Sequence, residues 1–230
     1  MLKKLLIIAT LAAGLISTQA SAAFVSTDWK VAGDKLAVLD EMTGLEWLNL
    51  TQTRGMSIDE ARSLIEDGYF SGWRVPTNEE VESLFTNWFP TLNVFSETRI
   101  SRTNLSTGEG QRYIAFNTLL GNGVRASGNY TIGFYFDENN IVRRAGVDVN
   151  DVGRLYTLNM PEVYSETSTA SSYSVFLVSD GGVTLSSMND PTLNINNPNA
   201  PINMADVSAP AGLAAAGVLM LMLGARRRAA

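Results

Sequence analysis

Gly72-Trp73-Arg74-Val75-Pro76-Thr77-Asn78-Glu79-Glu80-Val81 is the stretch from which the architecture of this chain is read. Thr77 followed three residues later by Glu80 is a capping box, and Pro76 just ahead of it orients the entry to a helix. The apolar face of that helix is Val81, Leu84, Phe85 and Trp88, which recur at helical spacing. Trp73 brings a large apolar surface, roughly 150–250 Å². Arg74 stands between that ring and the helix start, where a guanidinium joins two layers by bonding carbonyls or Glu46. An extended segment handing over to a capped helix is fold maintenance before it is anything else.

Working toward the N-terminus, Ser57 caps a second helix through Ile58, Ala61, Leu64 and Ile65, with Asp59 and Glu60 in its first turn and Gly68 as its stop. Leu36 to Leu39 and Leu45 to Leu50 read as strands around a turn at Met42-Thr43-Gly44. Toward the C-terminus, strands are expected over Tyr113 to Leu120, Tyr130 to Phe136, Ile141 to Asp148, Arg154 to Leu158 and Tyr173 to Ser179. Asp137-Glu138-Asn139-Asn140 should close a hairpin. The class is α+β: one domain with two early helices packed on a mostly antiparallel sheet.

Thr43-Gly44-Leu45-Glu46-Trp47, then Gly72 to Val81, then Tyr173-Ser174-Val175-Phe176-Leu177-Val178 follow one another in an order that resembles the bacterial Lcl C-terminal-like domains. Their pattern is a TGL-W strand, a WRLPT-EL segment and a final aromatic strand. The resemblance spans roughly Asp40 to Gly182. It implies a C-type-lectin-like fold, a place among surface adhesins and binding of an extracellular glycan or matrix component, and it brings no set of catalytic residues. Many members carry cysteines, whereas this chain has none. The calcium-binding tripeptides Glu-Pro-Asn and Gln-Pro-Asp of C-type lectins are also absent.

Function in such a fold belongs on loops over a fixed scaffold, here Asn104 to Gln111, Gly121 to Asn129 and Asp137 to Asn140. Arg99, Arg102, Arg112 and Arg125 gather in this part of an otherwise acidic chain, fit for an anionic sugar or for a balanced solvated face. Tyr113, Tyr130, Phe134 and Tyr135 fit either stacking on sugar rings or the alternation of a strand core. Asp148, Asn150 and Asp151 lie in a run that partly follows an EF-hand loop. Its fifth and twelfth places, Val152 and Asn159, do not supply ligands, so calcium is a weak candidate beside an Asx-rich turn.

The chain has 230 residues, 17 Lys+Arg and 23 Asp+Glu. Five basic residues (Lys3, Lys4, Arg226, Arg227 and Arg228) lie in the terminal segments and no acidic one does. Twelve basic residues then face 23 acidic ones between them, a net charge of −11. That surface argues against nucleic acid as partner. With no cysteine and no histidine there is no disulfide, thiol nucleophile, Ser-His-Asp triad or usual zinc site. Carboxylate chemistry remains. A polysaccharide hydrolase built on Asp59/Glu60, Glu79/Glu80/Glu82 or Asp137/Glu138 is the alternative to a non-catalytic binding module.

Both ends read as delivery signals. Lys3 and Lys4 precede an apolar run from Leu5 to Ile16, and Ala20-Ser21-Ala22 is the small-x-small pattern that signal peptidase cuts, which defines residues 1–22 as a signal peptide. At the other end Val207-Ser208-Ala209-Pro210 leads into fifteen uncharged residues, Ala211 to Ala225, and then Arg226-Arg227-Arg228. As a helix the uncharged stretch rises about 22 Å, short of a hydrocarbon core of about 30 Å. A motif, a short greasy helix and a basic cluster resemble the PEP-CTERM sorting signal, with Val-Ser-Ala-Pro in place of Pro-Glu-Pro. The resemblance implies recognition by an exosortase, a membrane protease, and association with exopolysaccharide. Residues 23–182 are then the lectin-like domain, 183–206 an Asn/Pro-rich spacer with Pro191, Pro198 and Pro201, and 207–230 the sorting tail. Export across the inner membrane, tethering by the C-terminal helix and a cell-surface or extracellular destination follow as expectations.

Overall fold

The computed structural model describes residues 24–106, 108–121, 123–125 and 128–189. The expected cleavage residues Ala20 and Ala22, and the tail residues Val207, Ser208, Ala209, Pro210, Arg226, Arg227 and Arg228, lie outside the described residues. Among the described residues no helix is long and apolar enough to cross a membrane.

The α+β class holds. In chain order the elements are β1 (Phe24–Thr27), β2 (Ala37–Asp40), β3 (Leu45–Leu48), α1 (Ile58–Glu66), α2 (Asn78–Trp88), β4 (Ile100–Arg102), α3 (Glu109–Leu120), β5 (Gly123–Arg125), β6 (Gly128–Phe136), β7 (Val142–Val149), β8 (Gly153–Tyr156), β9 (Ser174–Val175), β10 (Val178–Ser179) and α4 (Leu185–Asn189). They build two sheets. One has the order β1-β2-β3-β10 and is antiparallel. The other runs β4-β8-β7-β6-β5, with β9 added parallel to β6.

Residues 174–179 pass from the second sheet to the first, and their side chains alternate as an extended chain requires. Val175 and Leu177 enter a cluster with Trp29, Leu48, Ile58, Phe70, Trp73 and Phe134. Phe176 and Val178 enter the larger cluster around Trp47, Phe85, Trp88, Phe116 and Tyr135. Trp47 and Leu48 divide in the same way, so β3 is buried on both faces. Phe176 lies so close to the second sheet that a Cβ on Gly133 would stand 2.6 Å from its ring.

Both capping boxes form. Ser57 Oγ accepts from Glu60 N–H while the Glu60 carboxylate accepts from Ser57 N–H, and Thr77 and Glu80 repeat the exchange on α2. Arg74 does not reach Glu46. Its fork closes on both oxygens of Glu80, at 2.7 and 2.6 Å, and on Asp180 at 2.6 Å, while its backbone pairs with Val178. Glu46, 1% exposed, accepts instead from the Thr184 hydroxyl.

Other expectations are corrected. Tyr113 to Leu120 is not a strand but the greater part of α3, whose buried residues Tyr113, Phe116, Asn117 and Leu120 follow helical spacing. The strand expected to reach Leu50 stops at Leu48, because Asn49 caps a 3-10 turn over Leu50–Thr53. The stretch from Tyr173 to Ser179 is two short strands in different sheets. Residues 183–189, placed in the spacer by composition, are part of the packed body. Leu185 N–H donates to Trp29 O (2.9 Å) and Ser186 N–H to Asp28 O (3.1 Å).

Candidate functional site

The start of α2 and the turn between β6 and β7 face each other across a polar cleft. It consists of two adjoining hollows, about 140 and 340 Å³, that share Asn78, Asp137 and Glu138. Glu82, Arg143 and Asn159 line the first, and Arg62, Thr77, Glu79 and Asn140 the second.

The turn is fixed by its own sequence. Asp137 Oδ1 accepts from the N–H groups of Asn139 and Ile141 (both 2.9 Å), an Asx turn completed by Asn140 in the left-handed region at φ 56°. Its other oxygen accepts from Arg143 Nε at 2.8 Å, and Arg143 Nη1 donates onward to Met160 O (3.3 Å). The helix side is fixed too: Asn78 Nδ2 donates to Glu82 Oε1 one turn on, at 2.8 Å. Tyr135 lines the inner end of the cleft. Its ring is 1% exposed and its hydroxyl donates to Leu158 O at 2.8 Å, so it supports the cleft and has no free face to stack on a sugar. Burial pushes that phenol well above its ordinary pKa.

The carboxylates with altered acidity all move toward the ionised form. Burial opposes the charge on Asp137, but the Arg143 hydrogen bond and the N–H groups of Ile141 and Asn139 outweigh it and hold the carboxyl below the usual range. Burial likewise opposes the charge on Glu80, and Arg74 with Thr77 N–H overcomes it. Asp34 is lowered against burial by N–H groups of its own loop.

Of the binding candidates in the sequence, Arg102, Arg112, Arg125, Tyr130 and Tyr135 lie on different elements and faces and do not converge on the cleft. Arg102 on β4 pairs with Glu109 at 2.7 Å. Arg112 on α3 donates to Trp88 O (3.3 Å) and lines a separate cavity. Arg125 lies on β5 with its side chain outside the described residues. Tyr130 stands opposite Asp148 on β6, five residues and therefore one sheet face away from Tyr135. Only Tyr135 belongs to the cleft.

Asp148, Asn150 and Asp151 sit at the end of β7 and in the turn that leads to β8. The Asp148 carboxylate is buried and accepts from Asn150 Nδ2 (2.7 Å) and Arg154 Nη1 (3.0 Å), so an arginine already balances its charge at the β7–β8 turn. Among the described residues no group of three or more acidic side chains is placed to hold a metal ion. Sequence reasoning found the Asp137 to Asn140 side of the cleft but missed Asn78 and Asn159, which reach it through tertiary packing, and Arg143, which the hairpin pairing sets opposite Tyr135. It also missed the assembly around Arg144, whose guanidinium lies 5.0, 5.7 and 4.9 Å from the ring centres of Tyr156, Tyr164 and Tyr173.

The chain matches no family model, and no curated protein or solved structure is significantly similar to it.

Proposed function

We propose that this chain is an exported, surface-associated, non-catalytic protein whose α+β body is a C-type-lectin-like module binding an extracellular glycan or matrix component. The polar cleft carries this reading. It presents amide and carboxylate groups already held by neighbouring bonds, and such groups exchange hydrogen bonds with sugar hydroxyls at little ordering cost. The Asp137 carboxylate, held in its ionised form by Arg143 and two N–H groups, suits an acceptor role.

The test is binding of the purified 23–206 chain to a glycan array and to the polysaccharide of its own host. Saturable binding without product release is expected. Glu138→Ala and Asn159→Ala, both at exposed cleft positions, should weaken binding about tenfold, the effect of losing one hydrogen bond to a charged or well-placed group, with unchanged melting. No binding to any polymer, or release of sugar products, sinks the reading.

Delivery by signal peptidase and an exosortase-like membrane protease is part of the same proposal, supported by the sequence patterns at both ends. Intact mass of the native protein tests it. A C-terminus near Val207 to Gly212 is expected after processing; a chain ending at Ala230 in the membrane fraction makes the tail a plain anchor.

A further inference from the structure

We infer that a second cavity, between β1, α2 and α3, is a site for a six-membered ring bearing a carboxylate. The cavity is about 290 Å³, and Phe24, Trp88, Ala115 and Leu119 form its apolar walls. It is open to solvent on one side, and since roughly 150 Å³ is enough for a benzene-sized ring, it has room for a ring and its substituent. The Phe24 ring lies stacked on Trp88, with centroids 3.9 Å apart, which makes one wall flat and rigid.

The polar groups supply the charge preference. Arg112 lines the cavity beside Asn87 and Gln111, and no carboxylate does. Both halves of the polar cleft and the hollow along α1 include carboxylates, in a body of net charge −11. This cavity differs from those three in its charge. Arg112 is also held in place: Trp88 Nε1 donates to Arg112 O (3.1 Å) and Arg112 Nη1 donates to Trp88 O (3.3 Å), a reciprocal pair that ties α3 to α2. A guanidinium has five N–H donors in a planar fork, which leaves a carboxylate-binding edge available beyond that single bond. Asn87 donates to Asp40 (3.2 Å), a buried carboxylate that does not line the cavity.

Apolar walls with one fixed cation are the composition of a site for a small organic acid. A uronate sugar and an aromatic or alicyclic acid share that chemistry. The cavity is separate from the polar cleft, so either can fail as a site without the other.

The experiment is titration of the isotope-labelled full chain with methyl glucuronide and with benzoate, against methyl glucoside and benzamide as neutral counterparts. The Trp88 indole N–H resonance is the reporter. A saturable shift is expected with at least one acid, about tenfold tighter than with its neutral counterpart, as loss of a charge-assisted bond implies. The acid that binds identifies the source of the ligand. Arg112→Gln should abolish the preference for the acid while the chain stays folded. If that variant unfolds, Ala115→Met, which narrows the cavity and leaves the charge, should abolish the shift instead. Equal response to acid and neutral compound, no response to either acid, an undiminished acid preference in folded Arg112→Gln, or an undiminished shift in Ala115→Met overturns the inference.

Discussion

The Arg74 guanidinium bonds both carboxylate oxygens of Glu80 and also Asp180, so one side chain joins the start of α2 to the segment after β10. A planar fork makes this possible, and an ammonium does not reproduce it. Arg74→Lys is therefore expected to lower stability by about 1 kcal/mol in urea denaturation, a modest figure because the side chain is partly exposed. The same pairing sets a pH dependence. Glu80 and Asp137 have folded pKa values below their unfolded ones. Their contribution is complete above the ordinary carboxylate pKa, roughly 4 to 4.5, and is lost as pH falls through the folded values. The urea midpoint should fall steadily below about pH 4.5, and less steeply in Arg74→Lys. A midpoint flat from neutral to strongly acidic solution would remove this account. That the Thr77-Glu80 box was legible follows from its chemistry: donor and acceptor lie three residues apart, and no distant contact is needed. The partner of Arg74 was not legible in full, because Asp180 is 106 residues away and arrives only when β10 joins the first sheet.

At the scale of elements, α3 shows where sequence reading gives out. Tyr113, Ile114, Phe116, Leu119 and Leu120 include the aromatic and β-branched residues that favour strands, and the helix begins at Gly108 with no side-chain cap to announce it. The burial pattern decides between the two. A strand would place Ile114, Phe116, Thr118 and Leu120 on one face, whereas in the helix Thr118 is exposed while Tyr113, Phe116 and Leu120 are buried. Phe116→Ala should cost about 3–5 kcal/mol, since its ring packs against Phe85, Trp88 and Phe89. Thr118→Ala should stay within about 0.5 kcal/mol. Comparable losses at both positions would contradict the helix. The cleft divides along the same line. The Asp137 turn is written in consecutive residues, but its neighbour Asn78 is brought up by the packing of α2, which no local pattern encodes.

For the molecule as a whole, the placement of residues 183–189 decides what counts as the folded unit. Their composition gave no warning, since Thr184, Ser186 and Ser187 read as linker. In the structure Thr184 donates to buried Glu46, Leu185 and Ser186 bond the Asp28-Trp29 backbone, and Val183 presses on Gly72, where a Cβ would stand 2.6 Å from its methyl. Residues 183–186 thus touch β3, the loop after β1 and the Gly72 to Val81 segment at once. Removing them would strip the buried Glu46 carboxylate of its hydroxyl partner, while its other oxygen already lacks one. A chain of residues 23–182 should be less stable than 23–206 by about 2–4 kcal/mol, the sum of one unsatisfied buried carboxylate and lost apolar cover. A 23–189 chain keeps these contacts and should be more stable than 23–182 by a similar amount, about 2–4 kcal/mol. Equal stability of all three in urea would mean that the strap is no part of the cooperative unit. Glu46 would then tolerate burial without Thr184, which the cost of an unpaired buried carboxylate argues against.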